Sequence, residues 1–214
     1  MSTGSLSVAT LQYFESKGIQ SILDEAMHNL MLEMPEDPLA FLEEAFRRPT
    51  PVHVILTGPR GSGKTTLAGR LGAHYGIVHV AAPTAAATDV AMPADVLREL
   101  RGLQKEGKGW VLDGFPQTRA DVIQLQTSGI SPQLVFELQV PPGVAVRRAI
   151  TGAADSPGHP EDAAAVAKCH ELYDVRRMEV ITSYRPCYRG IDATGTADEV
   201  AADVVRAIDA LHLS

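Results

Sequence analysis

The sequence predicts an α/β fold: a parallel five-stranded sheet with helices on both faces, preceded by a small all-α helical hairpin. Three observations carry this. Short, nearly continuous apolar runs recur at VHVILTG (52–58), IVHVAA (77–82), GWVLDG (109–114), LVFELQV (134–140) and RGIDATG (189–195). Helix-forming segments alternate with them, and strands that lack an apolar–polar alternation are those of a parallel sheet covered on both faces. Residues 8–48, in contrast, read as helical, with no strand-like run.

In the hairpin, Ile19, Ile22, Leu23, Ala26, Met27 and Leu30 recur at helical spacing and make a wide apolar stripe. PEDP (35–38) then turns the chain, with Asp37 as N-cap and Pro38 in the first helical position. Leu39, Leu42, Ala45 and Phe46 give a second apolar face. Two helices this short cannot bury both faces alone. Their partner is either the core of the same chain or a second molecule. The prolines of RRPTP (47–51) break a helix on either side, which divides the chain into domains at 8–48 and 52–214.

In the second domain helices are expected over 64–74, 93–105, 143–151, 161–182 and 196–211. Thr196 and Glu199 stand at capping-box spacing for the last of them. The Ala/Pro/Gly-rich stretches 81–94 and 152–165 read as loops, and Trp110, inside a strand, reads as core.

The totals exclude several function classes. A formal net charge of −7 argues against a broad footprint for nucleic acid. Two cysteines, Cys169 and Cys187, do not make a secreted disulfide framework, and no apolar run reaches membrane-spanning length. The N-terminal stretch lacks the pattern of a secretory signal, so the expectation is a cytoplasmic protein without membrane attachment. The seven histidines show no metal-ligand spacing and read as surface or packing residues. Any anion site must be local.

One such site is written after the first strand. GPRGSGKTT (58–66) satisfies G-x-x-x-x-G-K-[ST], placed between a strand and a helix as that motif requires. Gly58, Gly61, Ser62, Gly63, Lys64, Thr65 and Thr66 become the candidate cofactor-binding residues, and the core becomes one of P-loop NTPase type. Glycines let backbone N–H groups converge on phosphate oxygens, and the following helix adds its positive dipole end. Lys64 would reach the terminal phosphates of ATP, and the Thr65 hydroxyl would ligate Mg²⁺. A glycine turn that merely joins strand to helix is the plain alternative. Asp113, which ends the apolar run Trp110-Val111-Leu112, fits the same site: an acid closing a neighbouring strand can hold Mg²⁺ through water. Its other possible role is a turn or N-cap acid before Pro116.

The pair GPRGSGKTT and VLDGFPQT (111–118) resembles the adenylate kinases, a branch of the nucleoside monophosphate kinases, whose signature is Asp-Gly-Phe/Tyr-Pro-Arg after a glycine-rich loop. AMPADVLREL (91–100) is similar to the family helix before the signature strand, and GIDATGTADEV (190–200) to its closing strand and helix. The resemblance implies ATP and Mg²⁺ as cofactors. In active members it implies transfer of the γ-phosphoryl group to AMP, with Lys64, Asp113 and Arg148 as the catalytic set.

The departures from that pattern fall on cations. Gln117 stands where the family's AMP-binding arginine belongs, with Arg119 two residues on at the start of a helix. Only VAAPTAAATDVAM (80–92) fills the place of the helices that clasp AMP; an alternative alignment sets ADVLRE (94–99) there and makes Arg98 the ligand. Cys169 occupies an arginine position in the helix leaving the lid, and Ala154 aligns with the lid's own arginine. A further arginine position falls near Val175, beside Arg176 and Arg177, within RRMEVITSYRPCYR (176–189), whose four arginines read as lining the nucleotide end or as a partner-binding patch. Losing arginines that stabilise the transferring group costs on the order of 10³–10⁵ in rate.

The hairpin resembles the dimerisation/docking domain of the type II regulatory subunit of cyclic-AMP-dependent protein kinase. The residues that carry this are Gly18-Ile19, Ile22-Leu23, Leu30 and Pro35 to Leu42. The resemblance implies a dimer, homo- or heterotypic, whose groove takes an amphipathic helix of an anchoring protein through Ile19, Ile22, Leu23, Met27, Leu30, Leu39 and Leu42. Domains of that kind recur in the axoneme of cilia and flagella, sometimes beside adenylate-kinase-like domains. Two functions follow: a docking protein with an ATP-binding core of weak or lost kinase activity, a pseudokinase candidate, or an active adenylate or nucleoside monophosphate kinase.

Overall fold

The computed structural model describes residues 10, 13, 19–47, 51–82, 93–151 and 163–212. The hairpin comprises α1 (Ile19–Glu33) and α2 (Pro38–Arg47). The core begins with β1 (His53–Thr57), α3 (Lys64–Tyr75), β2 (Val78–Ala81) and α4 (Ala94–Lys105). It continues with β3 (Trp110–Asp113), α5 (Arg119–Thr127), β4 (Leu134–Gln139) and α6 (Pro142–Thr151), and closes with α7 (Ala163–Ser183), β5 (Tyr188–Asp192) and α8 (Ala197–His212). The strands lie in the order β2-β3-β1-β4-β5, and every pairing is parallel.

All five residues of β1 are buried, as a central strand with helices on both faces demands. Val54 and Leu56 turn to one face and pack with Leu67 and Leu71 of α3 and Val204 and Ile208 of α8. Ile55 turns to the other, with Leu100 of α4, Leu125 of α5 and Val180 of α7. Phe136 of β4 is 0% exposed, and burying a side chain of that size contributes about 2–3 kcal/mol. Trp110 is fully buried, as expected, and stacks on His53 with ring centroids 4.8 Å apart.

The register decides what stands at the sheet's carboxyl edge. Leu56 pairs with Asp113 of β3 and Thr57 with Glu137 of β4. Two carboxylates therefore flank the end of β1 from which the glycine loop departs.

Local chemistry ends the elements. The capping box before α8 forms as read: Thr196 N–H donates to Glu199 Oε2 at 2.8 Å, and Glu199 N–H to Thr196 Oγ1 at 3.3 Å. A second box, between Thr118 and Asp121, opens α5. In the hairpin, Asp37 Oδ1 accepts from Leu39 N–H and Ala40 N–H, both at 3.0 Å, which makes it the N-cap of α2. The helices α1 and α2 pack on one another and bury Ala26, while the helical reading breaks at Met34. Of the predicted loops 81–94 and 152–165 and the boundary 47–51, residues 83–92, 152–162 and 48–50 lie outside the described residues. The loop ends are shorter than read, since Ala81 closes β2, Ala94 opens α4 and 163–165 belong to α7. No described helix is long and apolar enough to cross a membrane.

Candidate functional site

The loop between β1 and α3 is built by glycine. At Gly61 the backbone has φ +81°, and a Cβ would meet the Ala145 carbonyl oxygen of α6 at 2.1 Å, so no other residue fits. At Gly63, φ is +95° and a Cβ would meet nothing within 4 Å; conformation alone asks for glycine, and the loop is open there. Ser62 is buried, Thr66 half-buried and Gly58 packed against Leu138.

Lys64, the first residue of α3, is half-buried and folds back to donate from Nζ to the carbonyls of Gly58 at 2.8 Å and Pro59 at 3.0 Å. Loss of water pulls its pKa down to about 8, against the upward pull of Asp113 and with a smaller push from Arg60. Thr65 Oγ1 donates to Asp113 Oδ2 at 2.7 Å. His79 Nε2 of β2 stands 3.6 Å from the same oxygen, a close approach longer than a hydrogen bond. Burial works to raise the Asp113 pKa, but His79, Thr65 and Lys64 together hold it below the usual carboxylate range. Asp113 is not a cap, because Thr118 fills that role for α5.

These groups suit Mg²⁺ and a polyphosphate. The Lys64 ammonium has carbonyl acceptors on its own loop, and an anion would restore the charge stability that burial removes. Thr65 and Asp113 bring two hard oxygen donors side by side. Among the described residues no group of three His, Cys, Asp or Glu side chains is placed to hold a metal, so Mg²⁺ would take its other ligands from water and phosphate, as it commonly does.

The remaining sequence-derived candidates lie elsewhere or are engaged. Arg148 of α6 donates to the carbonyls of Ala193, Thr194 and Gly195, at 2.7, 3.0 and 3.2 Å, in the turn before α8. Gln117 turns its amide onto Gly114 O at 3.0 Å. Arg119 is exposed at the start of α5, Arg98 exposed on α4, and Cys169 is a free, half-exposed thiol. Ala154 lies outside the described residues. Cys187 donates to Tyr184 O, and burial pushes its thiol up to about 11, which removes it as a nucleophile at neutral pH.

Sequence reading missed a knot beside the loop. Glu137, 1% exposed, accepts from Tyr188 Oη at 2.6 Å, Tyr173 Oη at 2.8 Å, Gln139 Nε2 at 3.0 Å and Arg177 at 3.0 Å. Burial alone would raise its pKa; these donors keep it low. The signal was present: LVFELQV sets an acid in an apolar run, as WVLD does. A groove of about 330 Å³ between α3 and α8, lined by Arg70, Leu71, His74 and Val205, contains none of the candidates.

No protein-family model matches the chain. Individual proteins do. Over 159 residues, 64% of this chain, it is 28% identical to adenylate kinase 8 of Homo sapiens. It is 22% identical over 166 residues to an adenylate kinase of Trypanosoma brucei rhodesiense, and 27% over 182 residues to one of Parvibaculum lavamentivorans. The chain is homologous to the adenylate kinases. The matched part of the chain covers 79% and 89% of the trypanosomal and bacterial proteins. It spans about a third of the human adenylate kinase 8, 33% of its length.

Proposed function

We propose that residues 52–214 bind ATP with Mg²⁺ and that phosphoryl transfer to AMP is weak or lost. The observation that carries this is Lys64, an ammonium facing carbonyls inside a glycine loop, beside the Thr65–Asp113 pair at 2.7 Å. The loop amides and the N-terminus of α3 receive the phosphates, Lys64 compensates their charge, and Thr65 and Asp113 hold the metal directly and through water. Mg-ATP supplies the γ-phosphoryl group and part of the charge neutralisation for its transfer.

What the chain lacks is further cationic support. Gln117 can hydrogen-bond a phosphate but cannot neutralise it, and Cys169 brings no cation. Arg148 is spent on three carbonyls and Arg177 on Glu137. Turnover with ATP and AMP in a coupled assay is expected on the order of 10³–10⁵ below that of an ordinary adenylate kinase. Mg-ATP is expected to raise the melting temperature, and Lys64→Ala to abolish that rise. Ordinary turnover, lost in Lys64→Ala, would establish the active kinase instead.

For residues 8–48 we propose dimerisation and docking of an amphipathic helix within a larger, axonemal assembly. Leu23, Met27 and Met31 are 39%, 47% and 64% exposed at i, i+4 and i+8 of α1, with Leu39 and Phe46 exposed on α2. An exposed apolar stripe of this kind is a surface that a second copy or a docked amphipathic helix would cover. The full chain is expected to sediment as a dimer, and Leu23→Asp with Met27→Asp to yield monomers that still respond to Mg-ATP.

A further inference from the structure

The glycine loop is held from outside by a side chain that composition and spacing do not single out. His170 on α7 is 7% exposed, and its Nε2 lies 2.8 Å from the carbonyl oxygen of Arg60, in the middle of the loop. A carbonyl only accepts, so Nε2 carries the proton and donates. Within the loop, Ser62 N–H donates to Pro59 O at 3.2 Å, and Lys64 Nζ donates to Gly58 O and Pro59 O. On its second side stands α6, whose Ala145 carbonyl fills the space a Cβ of Gly61 would take.

Peptide geometry gives this bond a consequence. The Arg60–Gly61 peptide is planar, with its C=O and N–H pointing in opposite directions. Drawing the Arg60 carbonyl onto His170 therefore turns the Gly61 N–H away from α7. An anion-binding loop works by converging such N–H groups on one side.

We propose that His170 is a positioning residue for phosphate: by fixing the Arg60 carbonyl, it sets the Gly61 amide for an anion in the loop. This rests on the nucleotide-binding reading, and the test separates the two. Affinities for Mg-ATP and for tripolyphosphate, which has no base or sugar, are measured by calorimetry on the full chain. The proteins are wild type, Lys64→Ala, His170→Leu and His170→Gln. His170→Leu is expected to weaken both ligands about tenfold, the scale of one hydrogen bond. His170→Gln, whose amide can donate to the same carbonyl, is expected to recover most of that loss. A purely structural role would lower the melting temperature of the free protein and leave the affinity of the folded form alone. Should His170→Leu not fold, His170→Asn, one methylene too short to make the bond, takes its place as the loss variant. Wild-type affinity in a folded loss variant overturns the inference while leaving nucleotide binding intact. A loss that glutamine does not relieve overturns it as well. Absence of binding by the wild type removes the nucleotide reading and this inference together.

Discussion

His53 begins β1 as a fully buried imidazole stacked on Trp110, and burial holds its pKa down at about 4 against an ordinary 6.5. The sign follows from proton counts. Between pH 6.5 and 4 the unfolded chain binds a proton that the folded chain refuses, so stability rises with pH across that window and is lost as pH falls. The full effect is about 3 kcal/mol. Urea midpoints measured from pH 7 to 4 are expected to fall in the wild type and to fall less in His53→Phe, which keeps the stack but not the titration. At Gly61 the expectation is a backbone effect. Gly61→Ala sets a Cβ against Ala145 O and forces a left-handed φ on alanine, so it should cost at least about 2 kcal/mol in chemical denaturation and abolish the Mg-ATP melting shift.

The same scale shows what could be read in advance. Asp113 announced itself because a carboxylate closing an apolar run needs a reason, and its contact with Thr65 is that reason. Glu137 carried the same signal in the next strand and went unread, because no motif drew attention to it. His79 and His170 had no signal at all. Their importance comes from the strand register and from the way α7 lies against the loop, and both are tertiary facts.

At the scale of elements, the five strands were legible because a parallel sheet buried on both faces concentrates apolar residues in short runs. β5 is the weakest of them, with much of its surface exposed at the sheet edge. α5 was visible only as a start at Arg119. It has nine residues and is defined less by an apolar stripe than by the Thr118–Asp121 box. In the hairpin, the turn and the Asp37 cap could be read from PEDP, while the extent of burial between α1 and α2 could not. Asp37→Ala removes the acceptor for two amides and is expected to cost α2 about 1 kcal/mol. Far-UV circular dichroism during thermal melting should show the hairpin signal moving to lower temperature, with the core transition unchanged.

For the whole molecule, Glu137 is the tie between β4, β5 and α7, through Tyr188, Tyr173 and Arg177. Glu137→Ala removes the acceptor of two tyrosine hydroxyls and one partner of Arg177, whose guanidinium keeps its contact with water and with Asp174. The expected loss is about 2–3 kcal/mol, read as a drop of roughly 5–10 °C in the core's melting temperature. Glu137→Gln keeps the shape and two acceptor lone pairs and should lose less.

The central place of β1 has a consequence for synthesis. Its neighbours in the sheet, Trp110–Asp113 and Leu134–Gln139, come much later in the chain, so β1 leaves the ribosome with both edges bare. A nascent polypeptide of this kind offers a sticky apolar ribbon until translation has passed residue 139, and pairings of such long range form slowly. Chaperone capture at that stage, and precipitation of fragments that stop short of β4, belong to this topology as much as the phosphate loop does.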